Sequence, residues 1–349
     1  MSPEEQIIKI IKGEQRFIVT SHINPDGDSI GSILALGLAL RKVGKEVTIF
    51  SFDPIPKVYN FLPRIDLITR DIPFSLPKVV IVLDCGEIDS MIPSLSKLIT
   101  PSSIVINIDH HQGNSKFGDY CYLDPKAAAV GEQIYKIIGL LGIRIDKEIA
   151  PSLYVAILTD TGSFKFINTT ADTFRIASSL VKSGANPALI SQKVYENKPL
   201  GLVRLMGLAL TTLKLNKKRE LAYLTITQDM LKKSKINNPE VRVITDFIRS
   251  IQGLKVVLVF RETKGKEIKV SLRSKGEEID VNRIASKFGG GGHQAAAGCT
   301  LKGPIEEMKM KVLEEVELQI STELNAECGM RNAESNPHSA IRTPNSVGI

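Results

Sequence analysis

The chain has 349 residues, is 43% hydrophobic and 24% charged, and carries a net charge of +7. That is room for two domains of roughly 100–200 residues each, in an ordinary globular composition rather than a disordered or fibrous one. No apolar run reaches the ~18 residues of a membrane span, the start MSPEEQ is unlike a secretion signal, and the cysteines at 85, 121, 299 and 328 form no CxxC pair. The expectation is a cytoplasmic protein with reduced thiols, no membrane partner and no disulfide framework.

In chain order, RFIVTSH (16–22) reads as a buried strand and residues 29–43 as a helix. EVTIFSF (46–52), KVVIVLDCG (78–86) and SSIVINIDHH (102–111) are further strands, short, β-branched and continuously apolar. Strands of that kind are covered on both faces. Helical patterns cover 127–141, 147–160 and 171–184. This alternation predicts an α/β fold, a mostly parallel sheet with helices on both faces.

The rhythm stops at SGANP (183–187), and helical segments continue to about 215, reading as a connection over 188–215 between a first domain, 1–187, and a second, 216–323. The second is a smaller α/β domain: strand ELAYLTIT (220–227), a helix near 239–252, the strands LKVVLVFRE and EIKVSLRS, a glycine-rich stretch, and a helix over 304–320. The segment 324–349 is polar and aperiodic and reads as a disordered tail. Charge divides along the same line. Residues 1–185 hold 19 Lys and Arg against 20 Asp and Glu; the remainder holds 26 against 18. A basic back half is either a solvated surface or a holder of anions such as nucleotides or RNA.

Acidic and imidazole residues recur at the carboxyl ends of the predicted strands, where open α/β sheets bind ligands. His22, Asp26 and Asp28 follow the first strand, Asp84 ends VVIVLD, and Asp109, His110 and His111 end IVINIDHH. Asp160 closes the helical run AILTD. Singly, each has a plain structural reading: Asp28 as the cap of a helix starting near Ser29, Asp26 as a turn residue. Together, Asp26, Asp28, Asp84 and Asp160 would bring four negative charges to one place, and two divalent ions would cancel them. Carboxylates with a minority of imidazoles suit Mn²⁺, with Mg²⁺ or another divalent ion as the alternative. Two such ions are the usual apparatus for attack of water on a phosphate ester. In the basic half, FGGGGHQAAAGC (288–299) offers glycine N–H groups to an anion, with His293 next to them, and Arg273 stands on a strand. KLNKKRE (214–220) reads first as a solvated hairpin, and the 5% aromatic content argues for a short substrate.

Taken together, HINPDGDS, Asp84 in VVIVLDCG, DHH at 109–111, Asp160 in LTDTGSF, and the later SLRS and GGGGHQAAAG resemble the motifs of the DHH phosphoesterase family with its DHHA1 domain, over roughly residues 10–322. The resemblance implies that His22, Asp26 and Asp84 hold one Mn²⁺ and that Asp28, Asp84, His110 and Asp160 hold the other, with Asp84 bridging. It implies that His111 faces the scissile phosphate, that Asp109 supports the site, and that Arg273, Gly290, Gly291, Gly292 and His293 clamp the nucleotide across an interdomain cleft. The compact two-domain form is similar to the bifunctional nano-RNase/pAp phosphatase group, which acts on very short RNA and on 3′-phosphoadenosine 5′-phosphate (pAp). Open alternatives are a phosphodiesterase of linear pApA or cyclic di-AMP, a short single-strand exonuclease, and a non-catalytic binding module. A homodimer is compatible with all of these.

Overall fold

The computed structural model describes residues 1–86, 97–237, 239, 241–263, 265, 267–276 and 278–334; for His293 and residues 323–334 the backbone alone is described. Contacts divide the chain into two compact units, Met1–Asn197 and Lys198–Ile349. The expected connecting segment is itself divided: the helix Pro187–Tyr195 belongs to the first unit and the helix Leu200–Leu210 to the second.

The first unit is built on six strands: β1 (Arg16–Ser21), β2 (Glu46–Phe50), β3 (Ile68–Thr69), β4 (Val79–Leu83), β5 (Ile104–Asp109) and β6 (Tyr120–Leu123). Their order is β3-β2-β1-β4-β5-β6, and every pairing is parallel. The central strands β1, β4 and β5 are buried on both faces over most of their length, which explains their unbroken apolar sequences. Phe17, Val19, Val79 and Ile81 join the main core. Ile18, Val80 and Val82, pointing the other way, join a smaller cluster with Phe50 and Leu98. From β1 the chain steps outward to β2 and β3, then returns to the other side of β1 as β4. The strand order therefore reverses between β1 and β4, and their carboxyl ends diverge around a crevice.

The helix Gly27–Lys42 is buried from Gly27 to Leu40 and lies against the helix Ala150–Asp160. Gly27 and Gly31 make that approach close. A methyl group at Gly27 would meet the Thr159 side chain at 2.4 Å, and one at Gly31 would meet the Ser152 carbonyl at 2.3 Å. The two helices can cross this tightly only because those positions carry no side chain. The crossing brings the start of one helix to the end of the other.

The second unit has the strand order β11-β12-β10-β9-β8-β7, with β7 (Lys214–Leu215), β8 (Leu221–Ile226), β9 (Val256–Glu262), β10 (Glu267–Ser274), β11 (Gly291–His293) and β12 (Ala296–Lys302). Only β8 and β9 pair in parallel. Core clusters cover both faces. The final helix runs Ile305–Glu334. It therefore includes residues 324–334 of the segment expected to be structureless, while 335–349 lie outside the described residues. Among the described residues, no helix is long and apolar enough to cross a membrane.

Candidate metal centre

Register assembles the centre. Ser21 of β1 pairs with Leu83 of β4, and Leu83 pairs with Ile108 of β5, so the next residues of each chain, His22, Asp84, Asp109 and His110, emerge side by side. Asp84 is 3% exposed and takes a left-handed backbone, φ 55°, where its N–H donates to the Ile108 carbonyl at 3.0 Å. That conformation is strained for a residue with a Cβ, and such strain collects at functional sites.

The first-motif carboxylates divide their work differently from the simple capping reading. The helix begins at Gly27, and Asp26 is its N-cap: Asp26 Oδ1 accepts from Ser29 N at 3.1 Å while Ser29 Oγ accepts from Asp26 N at 2.8 Å. Asp28 does not cap a helix near Ser29. It sits inside the first turn, 1% exposed, and reaches a different helix, Val130–Leu140. Its Oδ2 accepts from Val130 N at 2.6 Å; its Oδ1 accepts from Gly131 N at 2.9 Å and from Ser32 Oγ at 3.0 Å. A buried carboxylate facing a helix N-terminus is favourably placed for the orphan N–H groups and the dipole.

The imidazoles are oriented by carbonyl groups. His22 Nδ1 donates to the Ile23 carbonyl at 2.6 Å and His110 Nδ1 to the Ala127 carbonyl at 3.1 Å. A carbonyl only accepts, so both Nδ1 atoms carry a proton, and each Nε2 can present a lone pair to a metal ion once any proton of its own is lost. His22 Nε2 faces Asp84 Oδ2 at 3.6 Å and Asp26 Oδ1 at 3.9 Å. His110 Nε2 faces Asp160 Oδ2 at 3.5 Å and Asp84 Oδ1 at 3.8 Å. Carbonyl-oriented imidazole is the usual arrangement of a metal-ligating histidine. Ligand atoms fall into three groupings, each within 4.8 Å: His22, Asp26 and Asp84; Asp28, His110 and Asp160; and Asp84, His110 and His111. Asp84 belongs to the first and the third, with Oδ2 facing His22 and Oδ1 facing His110 and His111.

His111 is held otherwise. Its Nδ1 donates to Asp109 Oδ1 at 2.7 Å, and fully buried Asp109 accepts from Asn114 Nδ2 on its other oxygen at 2.6 Å. Asn114 also donates to the Cys85 carbonyl and to Asn107 Oδ1. Asn168 donates to the carbonyls of Asp160 and Ala128. Sequence reasoning missed both asparagines. Asn114 lies five residues after Asp109, and that proximity was the one available signal.

Charge crowding perturbs the groups in opposite directions. Burial and then the carboxylates of Asp84, Asp160 and Asp26 push Asp28 well above the usual carboxylate range, with the Val130 N–H opposing. Burial opposes ionisation of Asp84 as well, but His22, His110 and His111 outweigh it and its pKa is lowered. Asp160 is pushed up to about 7 by burial and by Asp84 and Asp26, against His110 and His111. Burial disfavours the charged His22 ring, yet Asp84, the Ile23 carbonyl and Asp26 raise it to about 9. The hydrogen bond to Asp109 raises His111 to about 9 against burial, helped by the charges of Asp109, Asp84 and Asp160. A nest of carboxylates that retains protons is short of positive charge.

In the second unit, Arg273 stands on β10 and donates from Nη1 to the Leu272 carbonyl at 2.8 Å. The glycine run is a turn entering a hairpin. Gly289 and Gly290 donate their N–H groups to Ser286 and Ala285, so those two are committed within the chain instead of being open to an anion. Gly291 and Gly292 lie on β11, opposite Gly298 and Ala297 of β12. The side chain of His293 lies outside what is described.

An open parallel sheet whose switch point carries this aspartate–histidine cluster defines a class, and the family comparisons agree with it. The model of the DHH family N-terminal domain matches residues 16–157, and that of the DHHA1 domain matches residues 219–322. The bifunctional oligoribonuclease and PAP phosphatase NrnA of Thermus thermophilus is 34% identical over 317 residues, which are 90% of this chain and 93% of that protein. The protein of the same name from Bacillus subtilis is 29% identical over 303 residues, covering 85% and 92%. A solved structure of an exopolyphosphatase-related protein from Bacteroides fragilis superposes with a TM-score of 0.83 at 25% identity, covering 92% of this chain and 96% of that one. This chain belongs to the DHH phosphoesterase family and carries a DHHA1 domain.

Proposed function

We propose that the protein is a Mn²⁺-dependent phosphoesterase that hydrolyses very short oligoribonucleotides and pAp by a two-metal mechanism. The observation that carries this reading is the sharing of Asp84 between oppositely placed imidazoles, His22 Nε2 at 3.6 Å from one oxygen and His110 Nε2 at 3.8 Å from the other. The donor set fits two ions. His22, Asp26 and Asp84 would hold one; Asp28, Asp84, His110 and Asp160 would hold the other. Oxygen donors with two imidazole nitrogens suit Mn²⁺ better than Mg²⁺. When bound, such ions supply an ionised water as nucleophile and positive charge for the phosphate.

The chain's own residues do the rest. His111, held by the Asp109–Asn114 pair, presents a protonated ring to a phosphate oxygen, and the buried hydrogen bonds fix its orientation. Arg273, Gly291, Gly292 and His293 are assigned to the phosphate and sugar end of the nucleotide. The choice of short RNA and pAp is supported by the names of the two relatives above, which align over most of this chain.

The test is the purified protein with Mn²⁺ on a panel: pAp, di- to pentaribonucleotides, linear pApA, cyclic di-AMP and longer single-stranded DNA. Turnover of pAp and the shortest RNAs above all others is expected. Preference for pApA or cyclic di-AMP would transfer the assignment to a second-messenger phosphodiesterase, preference for longer DNA to an exonuclease, and turnover of none to a binding module.

A further inference from the structure

After Asp160 the chain turns back on itself. Gly162, Ser163 and Phe164 take left-handed backbones in succession, φ 54°, 64° and 63°. Such a run is costly for residues with a Cβ, and it persists only where the surroundings enforce it. Here Ser163 N donates to the Leu158 carbonyl at 2.8 Å and Phe164 N to Thr161 Oγ1 at 3.0 Å, which closes the turn. The reversal returns Asn168 to the end of the helix Ala150–Asp160. Its Nδ2 donates to the Asp160 carbonyl at 3.2 Å and to the Ala128 carbonyl at 3.0 Å. An amide nitrogen has two N–H groups, and both are used. The opposite assignment would set Oδ1 against two carbonyl oxygens, so the carbonyls fix the orientation of the amide. Oδ1 is buried with no hydrogen-bond partner among the described residues, so the amide is held through its donors.

Ala128 belongs to a short segment, residues 127–131, that carries no ligand of its own yet supports three. The Ala127 carbonyl accepts from His110 Nδ1, and the N–H groups of Val130 and Gly131 donate to Asp28. Through Asn168 the same segment is joined to Asp160. Asp28, His110 and Asp160 are one of the three groupings whose ligand atoms lie within 4.8 Å of one another. They come from three elements far apart in sequence, and residues 127–131 are their common brace. The brace is itself anchored: Ala127, Ala128, Ala129 and Val130 are buried, and Ala128 N donates to Glu132 Oε2 at 3.1 Å. The other candidate ligands rest on different supports. His22 is oriented by the Ile23 carbonyl and Asp26 by Ser29, and Asp84 N donates to the Ile108 carbonyl.

We propose that Asn168 is a positioning residue for one metal ion only, the ion assigned to Asp28, Asp84, His110 and Asp160. Without the amide, the end of the helix Ala150–Asp160 loses this link to the brace that holds Asp28 and His110, and the three ligands no longer share one frame. The ion assigned to His22, Asp26 and Asp84 keeps its own supports. Partners behind the ligands of a metal ion govern its affinity by about 10–100-fold. This rests on the two-metal reading above and adds to it a residue that acts on the ion only through the ligands.

The experiment titrates Mn²⁺ into the wild type, N168A and N168Q and follows the free ion by electron paramagnetic resonance, with thermal melts showing which variants fold. The wild type is expected to bind two ions. N168A is expected to hold one as the wild type does and the other about tenfold or more weakly. N168Q keeps both donors on a longer stem and is expected to restore the weaker ion in part; it carries the comparison alone if N168A does not fold. Both ions bound with wild-type affinity in the variants, or both weakened alike, would overturn the proposal. Hydrogen exchange of the metal-free proteins keeps the two readings apart. If the wild type binds fewer than two ions, the two-metal reading fails. Exchange that quickens at Val130 and Gly131 in the variant but not along β1 and β4 would still uphold the positioning role, and equal or uniformly faster exchange would remove it.

Discussion

Replacing Gly31 by alanine tests whether the crossing of two buried helices sets the geometry of the metal centre. The added Cβ would lie 2.3 Å from the Ser152 carbonyl and 3.0 Å from Ala156 Cβ. Ordinary contact begins near 3.4 Å, so the helices Gly27–Lys42 and Ala150–Asp160 must part by about 1 Å along that line. Overpacking of this kind costs about 1–3 kcal/mol, and the higher helix propensity of alanine returns up to about 1 kcal/mol. The net destabilisation is then about 0–3 kcal/mol, a fall in melting temperature of at most about 12 °C at roughly 2–4 °C per kcal/mol for a unit of this size. Activity should suffer more. Asp28 and Asp160 lie on the two separating helices, and a misplacement of about 1 Å can cost about 100-fold in rate. Gly207→Ala is the control, because nothing lies within 4 Å of its added Cβ. Thermal melts and Mn²⁺-dependent turnover of pAp are measured for both variants. Wild-type turnover in a Gly31→Ala protein that melts no lower than the control would refute the reasoning.

Metal binding should release protons. His22 at about 9, Asp160 at about 7 and Asp28, held well above the usual carboxylate range, retain at least one proton among them at pH 7.5, and coordination requires all three deprotonated. Affinity for Mn²⁺ should therefore rise from pH 6 to 9, and calorimetry in buffers of different ionisation enthalpy should count at least one proton released; a count of zero contradicts the assignment. Asp109→Asn should lower the His111 pKa from about 9 toward the ordinary imidazole value, since the bond to Asp109 is the largest cause of its elevation; an NMR titration that does not move would show that the pair is not the cause. Arg273→Ala should raise KM for pAp about tenfold with Mn²⁺ binding unchanged, and a loss of metal affinity would place Arg273 elsewhere.

The fold was legible where burial leaves a continuous pattern. β1, β4 and β5 are β-branched runs covered on both faces, and the helix Ala171–Lys182 has an apolar stripe of Ile176, Ala177 and Leu180. The short β3 and β6 were missed because two to four residues carry no period. The β11–β12 hairpin was missed because a glycine and alanine run looks alike in a loop and in a tightly packed strand pair. The residues of the aspartate–histidine cluster were legible from their places just after strands and, for Asp160, at the end of a helical run. What each carboxylate touches was not. Asp28 meets Val130 N across 102 positions of sequence, and local capping rules see only the next few residues. The network of Asn107, Asn114 and Asp109 is local, spanning eight residues, but it forms only because the loop after β5 folds Asn114 back onto that strand, which no sequence period announces.

The central claim is that Asp84 ties two ions into one reaction centre. Its most direct test is a Mn²⁺ titration of the wild type and of Asp84→Ala, read by the number of ions bound per chain. Two ions in the wild type, and loss of at least one in the variant with its melting transition retained, is the result the geometry predicts. A single ion in the wild type, or two ions held with unchanged affinity by Asp84→Ala, would contradict it.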